Sequence, residues 1–142
     1  MTVSALYRTL DANLNRAREG LRVCEEIARF LRKDPLLTRR CQRLRYALDK
    51  AAAPIPKSKL LGARDSRRDV GRPEKRGGTR PHGKVSDLLA ANLKRVQEAL
   101  RVLEEFSRLA HPASSRAFGS LRFKVYSLEQ AFDSRSPAVR HR

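Results

Sequence analysis

The chain has 142 residues, of which 40% are hydrophobic and none is tryptophan, so its length suits a single domain with a mainly aliphatic core. Its 32 Lys and Arg against 15 Asp and Glu give a formal net charge of +17, which indicates an anionic partner without identifying it. No segment approaches the roughly 18 apolar residues of a membrane span, and the N-terminus lacks a signal peptide's apolar segment. We therefore expect a cytoplasmic protein with no membrane association.

Two helices are predicted in the first part of the chain. Helix 1 should run roughly from Ser4 to Arg32. Asp34 and Pro35 then suit the N-cap and the first position of helix 2. Helix 2 should continue to about Ala52, before two prolines end it.

A long basic crossover follows, at 54–84. Within it, residues 57–84 contain ten basic and three acidic residues, and a short helical turn is expected at 58–62. Loops of this length without regular structure are uncommon in compact domains and are usually functional or disordered. We expect a mobile portion at 72–81. The stretch 78–84 fits G-x-x-x-x-G-K, but no strand precedes it and Val85 stands where a P-loop needs Ser or Thr.

The last part of the chain predicts two more helices and a tail. Ser86 can cap helix 3, which should run to about Leu109. His111 and Pro112 mark the turn, and helix 4 should reach about Phe132. We expect the basic tail at 135–142 to be frayed.

An internal repeat organises these elements. Residues 12–29 read ANLNRAREGLRVCEEIAR and residues 91–108 read ANLKRVQEALRVLEEFSR, with 11 of 18 positions identical. Each copy alone cannot cover its apolar stripe, so two homologous hairpins should pack together. The sequence thus predicts an all-α fold: two repeated helical hairpins, at about 4–53 and 85–133, in a pseudo-two-fold four-helix arrangement with a long basic crossover, forming one domain over 1–134.

Polar residues interrupt the apolar face of the repeated helix. On a helical wheel, Asn13 and Arg16 lie within the apolar arc, which also includes Phe30 and Leu31, and Glu19 lies at its border. The equivalent residues of the second copy are Asn92, Arg95 and Glu98. Burying such groups is unfavourable unless they are satisfied. They therefore form either a structural polar network or a cleft, shared between the copies, in which Arg binds phosphate while Asn and Glu fix a heterocycle.

Other charged and reactive residues have a simpler interpretation. A solvated or interface role is favoured for residues at ion-pair spacing on the polar side of the two helices, namely Arg22, Glu25, Glu26, Arg29, Arg101, Glu104, Glu105 and Arg108. Cys24 and Cys41 have no metal spacing around them and are expected to be buried thiols. In the crossover, Asp65 and Asp69 beside Arg64 suit either a solvated turn or an element that holds Mg²⁺ and phosphate.

Three ordered motifs, LDANLNRAREGLRVCEEIARF, LLGARDSRRDVG and AANLKRVQEALRVLEEF, together resemble a known family over roughly 6–132. It is the helical domain found at the N-terminus of certain bacterial thiamine-phosphate synthases and also as a shorter free-standing protein. The resemblance implies a non-canonical kinase that uses ATP and Mg²⁺ to convert hydroxymethylpyrimidine phosphate to the diphosphate used in thiamine synthesis. It also implies a possible thiamine-phosphate synthase partner, and we expect the domain to be free-standing here.

The resemblance points to a specific set of residues. The set for substrate and phosphate binding comprises Asn13, Arg16, Arg22, Arg64, Gly71, Asn92, Arg95 and Arg101. The catalytic candidates are Asp65, Asp69, Glu19 and Glu98, of which the two aspartates would hold the metal. Either glutamate could orient the pyrimidine. A homodimer is possible.

A non-catalytic protein that binds a phosphorylated metabolite or nucleic acid is the alternative. Nucleic-acid binding usually brings base-stacking aromatics or a basic recognition helix. Aromatic residues make up only 6% of this chain, and helix 1 mixes Arg with Glu. Nucleic acid is therefore the less favoured partner.

Overall fold

A computed structural model describes residues 1–65, 68–71 and 83–135, and its regular structure is helical throughout that part. Within these ranges the α-helices are α1 (Val3–Glu26), α2 (Pro35–Ala52), α3 (Lys57–Ala63), α4 (Val85–Ser107) and α5 (Pro112–Ser134). The all-α prediction is confirmed, and α3 is the short helix expected in the crossover. The portion expected to be mobile, at 72–81, lies outside the described residues, as do most of the P-loop-like stretch and nearly all of the tail. No helix in the described part is long and apolar enough to cross a membrane.

A side-chain cap explains where α2 begins, whereas α4 begins without one. The Asp34 side chain accepts hydrogen bonds from the backbone N–H groups of Leu36 and Leu37, at 3.0 and 3.1 Å, and Pro35 takes the first helical turn, as predicted. The predicted cap at Ser86 is wrong, because the N-cap of α4 is Lys84, two residues earlier, and it makes no side-chain cap. Asp87 in the first turn instead interacts favourably with the helix dipole.

A π-helical turn at Ile27–Leu31 continues α1. Its wider turn adds a residue and rotates the side chains that follow. Ile27 is buried, whereas Phe30 and Leu31 are 55% and 57% exposed. Placing Phe30 and Leu31 in the apolar arc was therefore wrong, because the wheel assumed a regular α-helix to its end.

The two repeated helices, α1 and α4, pack closely at Gly20. A Cβ atom there would lie 2.6 Å from Cγ2 of Val96 and 3.2 Å from the backbone oxygen of Asn92. Glycine therefore permits an approach that any side chain would prevent. α2 packs on α1 and α5, α5 packs on α4, and α3 packs on α1.

Each hairpin contains the same ion pair between its two helices. Arg45 Nε lies 2.7 Å from a carboxylate oxygen of Glu25, and Arg122 Nη2 lies 3.0 Å from one of Glu104. The Glu25 side chain is only 3% exposed. The solvated role is therefore wrong for Glu25, and the interface role, which was the other one predicted, is correct. The second helix of each hairpin covers this position, which a wheel of the first helix alone cannot show.

The two cysteines lie in the core. Cys24 and Cys41 are fully buried and form no disulfide. Burial raises the pKa of each thiol to about 12, so neither is a thiolate near neutral pH. This agrees with the expectation of plain buried thiols.

Candidate functional site

One face of α1 and the segment after α3 enclose a pocket of about 460 Å³. It brings together two motifs that are far apart in the sequence. The lining residues are Ala5, Arg8, Thr9, Asp11, Ala12, Asn13, Asn15 and Arg16 from α1, with Arg64, Asp65 and Asp69 from the crossover. Five residues of the predicted site, Asn13, Arg16, Arg64, Asp65 and Asp69, therefore share one pocket.

Asn13 and Arg16 form the part of the pocket that belongs to the repeat. Asn13 is buried, and its Nδ2 donates to the backbone oxygen of Thr9 at 2.9 Å. Its Oδ1 accepts from Nη1 of Arg16 at 3.3 Å. Arg16 is exposed, although the wheel places it within the apolar arc, because a long side chain can carry its charge to water from such a position. A buried amide thus orients a guanidinium at the edge of the pocket.

Arg64 is fixed by a residue that the sequence analysis missed. Its Nε and Nη2 donate to the two carboxylate oxygens of Asp11, both at 2.8 Å. The Asp11 side chain is only 9% exposed, while that of Arg64 is 47% exposed. The hydrogen bond that Arg64 donates to Asp11 raises the pKa of Arg64, which stays charged. The repeat offered one signal, since Ala90 stands at the equivalent position in the second copy.

The two aspartates of the crossover lie beside a further arginine. Arg8, also missed from the sequence, donates from Nη2 to the backbone oxygen of Asp65 at 3.2 Å. The Asp65 carboxylate lies 3.5 Å from Nε of Arg68. Asp69 is exposed, and its Oδ1 accepts from the backbone N–H of Gly71 at 2.9 Å. Gly71 thus shapes the turn that carries Asp69, and it does not line the pocket.

The carboxylates of the pocket suit Mg²⁺ only when substrate oxygens complete its coordination. The described residues contain no group of three or more His, Cys, Asp or Glu that could hold a metal ion. Mg²⁺, however, is usually bound through one or two carboxylates plus substrate phosphates. Asp65 and Asp69 in a pocket lined by arginines match that pattern.

The second repeated set lies elsewhere. Asn92 is buried and donates from Nδ2 to the backbone oxygen of Leu88 at 2.9 Å, the counterpart of the Asn13 bond. The backbone oxygen of Asn92 faces Gly20. Gly20 lies seven residues after Asn13, which corresponds to about 10 Å along α1 at 1.5 Å per residue. Among the described residues, the pocket is lined by the first set and not by the second, and Arg95 and Glu98 are exposed.

Three remaining candidates occupy the helix surface. Arg22 pairs with Glu26 at 3.0 Å and Arg101 pairs with Glu105 at 2.9 Å, both at i,i+4 spacing. Glu19 is exposed and does not line the pocket. The two pairs match the surface ion pairs predicted for this side of the helices.

Comparison with known proteins gives consistent matches. A profile of the ThiD2 family matches residues 8–131. The thiamine-phosphate synthase of Synechocystis sp. is 47% identical over 126 residues, covering 89% of this chain and 36% of that protein. Those of Nostoc punctiforme and Rhodopirellula baltica are 44% and 38% identical, over 87% and 86% of this chain and 34% and 32% of their own length. The chain thus spans about a third of the length of these relatives. No solved structure matches the chain.

Proposed function

The chain belongs to the ThiD2 family, and from this premise we propose that it acts in thiamine biosynthesis as an ATP-dependent kinase of 4-amino-5-hydroxymethyl-2-methylpyrimidine phosphate. The product is the corresponding diphosphate. The observation that supports this proposal most directly is the pocket on α1, where guanidinium groups and carboxylates line one cavity. Its volume of about 460 Å³ lies within the range of small-molecule sites.

The reaction needs positioning and charge neutralisation rather than a covalent nucleophile. A substrate phosphate oxygen forms a bond to the γ-phosphorus of ATP, and the bond from that phosphorus to the β–γ bridging oxygen breaks to release ADP. The second pKa of a phosphate monoester is about 6, so the attacking oxygen is already ionised near neutral pH. The chemistry therefore requires no general base, which agrees with the positions of Glu19 and Glu98 outside the pocket.

The residues of the pocket divide by charge. Arg8, Arg16 and Arg64 supply the guanidinium groups that bind phosphate oxygens, and Asn13 holds Arg16 in place. Asp65 and Asp69 would hold Mg²⁺ together with those oxygens. When bound, the metal neutralises charge on the transferred phosphoryl group.

The test is the release of ADP from ATP in the presence of Mg²⁺ and the pyrimidine phosphate. We expect turnover that requires both substrates, and an Asp65→Ala variant with kcat/KM reduced about tenfold or more. The matched control is Asp49→Ala, which removes an exposed carboxylate paired with Arg18 outside the pocket.

Three results would contradict parts of the proposal. Absence of ADP release above background refutes the kinase function. A steep, salt-dependent binding of oligonucleotides without turnover would instead favour the nucleic-acid alternative. Turnover that is equal in the two aspartate variants leaves the function standing but places the site elsewhere.

A further inference from the structure

We propose that Asp11 is a positioning residue, which acts through Arg64 to hold the crossover carboxylates and the remaining Arg64 N–H groups in place for a phosphate-bearing ligand. The inference rests on the proposed function and deepens it. The Asp11 side chain is only 9% exposed, and both of its carboxylate oxygens are paired with Arg64. It therefore serves the ligand through its partner.

The geometry of the pair is specific. Two parallel hydrogen bonds of 2.8 Å occupy Nε and Nη2 of Arg64 and both oxygens of Asp11. A guanidinium has five N–H donors, so this pairing leaves three of them for other acceptors. Arg64 is 47% exposed and lines the pocket. Those donors are thus held in one orientation beside the cavity.

Two further contacts join α1 to α3 and to the residue pair that follows it. Arg8 donates to the backbone oxygen of Asp65, at 3.2 Å. The Lys59 ammonium lies 5.4 Å from the centroid of the Tyr7 ring, within the range of a cation–π contact. Of the three contacts, the Asp11 pair is the charge-assisted bidentate one, which is the strongest type. Losing it would release Arg64 and the carboxylates that follow it.

The internal repeat provides an independent reason for a ligand role on this face alone. Asn13 and Arg16 are retained in the second copy as Asn92 and Arg95. The residues that dock the crossover are not retained, since Asp87 stands at the position of Arg8 and Ala90 at that of Asp11. The repeat thus supplies two similar helix faces, but only the first carries the residues that dock the crossover. This difference assigns the proposed phosphate site to the first face of the repeat.

A double-mutant cycle on kcat/KM for the pyrimidine phosphate tests the inference. We expect Asp11→Asn and Arg64→Gln each to lower kcat/KM about tenfold or more. The double variant should have a kcat/KM no lower than that of the less active single variant. A merely structural role would lower the active fraction, and hence kcat, whereas loss of positioning raises KM. Asp49→Asn, which breaks an exposed pair outside the pocket, is the control and should stay within about twofold of the wild type.

Multiplicative losses, or an Asp11→Asn variant that matches the control, would overturn the inference. If the wild type shows no turnover, the proposed function fails, and calorimetric binding of inorganic pyrophosphate decides on Asp11 separately. Binding weakened about tenfold by Asp11→Asn supports the positioning role. Equal binding, or no binding to the wild type, contradicts it. Melting temperatures of all variants identify any that fail to fold.

Discussion

Replacing Arg45 with methionine tests the ion pair that links α1 and α2. The substitution keeps much of the apolar stem but removes the charge that faces Glu25, at 2.7 Å. Because the Glu25 side chain is 3% exposed, its carboxylate is left buried without its partner. Breaking a buried pair in this way destabilises a protein by about 3–5 kcal/mol. The Arg45 side chain is 28% exposed, so water can reach the vacated space and we expect about 3 kcal/mol, the lower end of that range.

Urea and thermal unfolding followed by circular dichroism measure this loss. In a domain of this size, 3 kcal/mol corresponds to a fall in Tm of about 9 °C. Glu25→Gln should destabilise by only about 1 kcal/mol, because it leaves no buried charge unpaired. The control is Arg18→Met, whose partner Asp49 is 61% exposed and whose loss should change stability by no more than about 1 kcal/mol. If Arg45→Met loses no more stability than Arg18→Met, the pairing of Arg45 with Glu25 does not stabilise the fold as a buried ion pair.

Two further predictions concern the helix crossing and the start of α2. Gly20→Ala should destabilise the protein by about 1–2 kcal/mol in urea unfolding, because the new Cβ would lie 2.6 Å from Val96. The control is Gly62→Ala, which has open space around it and should be neutral or stabilising. Equal effects of the two substitutions would contradict the close packing at Gly20. The hydrogen bond from Arg135 lowers the pKa of Asp34. The ionised Asp34 carboxylate should therefore stabilise the folded state above its ordinary pKa of 3.8, and this stabilisation should be lost as pH falls through the lowered pKa. The stability difference between wild type and Asp34→Asn, which keeps a good N-cap, should therefore disappear in strong acid, and a difference that persists there would refute this linkage.

The fold was largely predictable because its signals are local or periodic. The cap at Asp34, the prolines and the repeated motif determine the helix bounds within a few residues. The π-helical turn was not predictable, since nothing in the apolar spacing before Phe30 indicates a wider turn. Burial of Glu25 was also missed, because it depends on Arg45 reaching across from a second helix.

The candidate site was predictable in its motifs but not in its geometry. Residue types and the resemblance pointed to Arg16 and Asp65, which do meet in one pocket. Asp11 and Arg8 were missed because their role depends on where the crossover returns to α1. A shared cavity for both repeated sets was expected from the symmetry of the sequence, yet the described part of the crossover forms its pocket with α1. The roles of the second set remain predictions.

The most direct test of the proposed phosphate site compares Arg16→Ala with its repeat equivalent, Arg95→Ala, in the ADP-release assay with the pyrimidine phosphate. Both arginines are exposed on equivalent positions of the repeated helix, but only Arg16 lines the pocket formed with the crossover. We expect Arg16→Ala to lower kcat/KM about tenfold more than Arg95→Ala does. An equal or larger loss in Arg95→Ala would contradict a single phosphate site on the first face of the repeat.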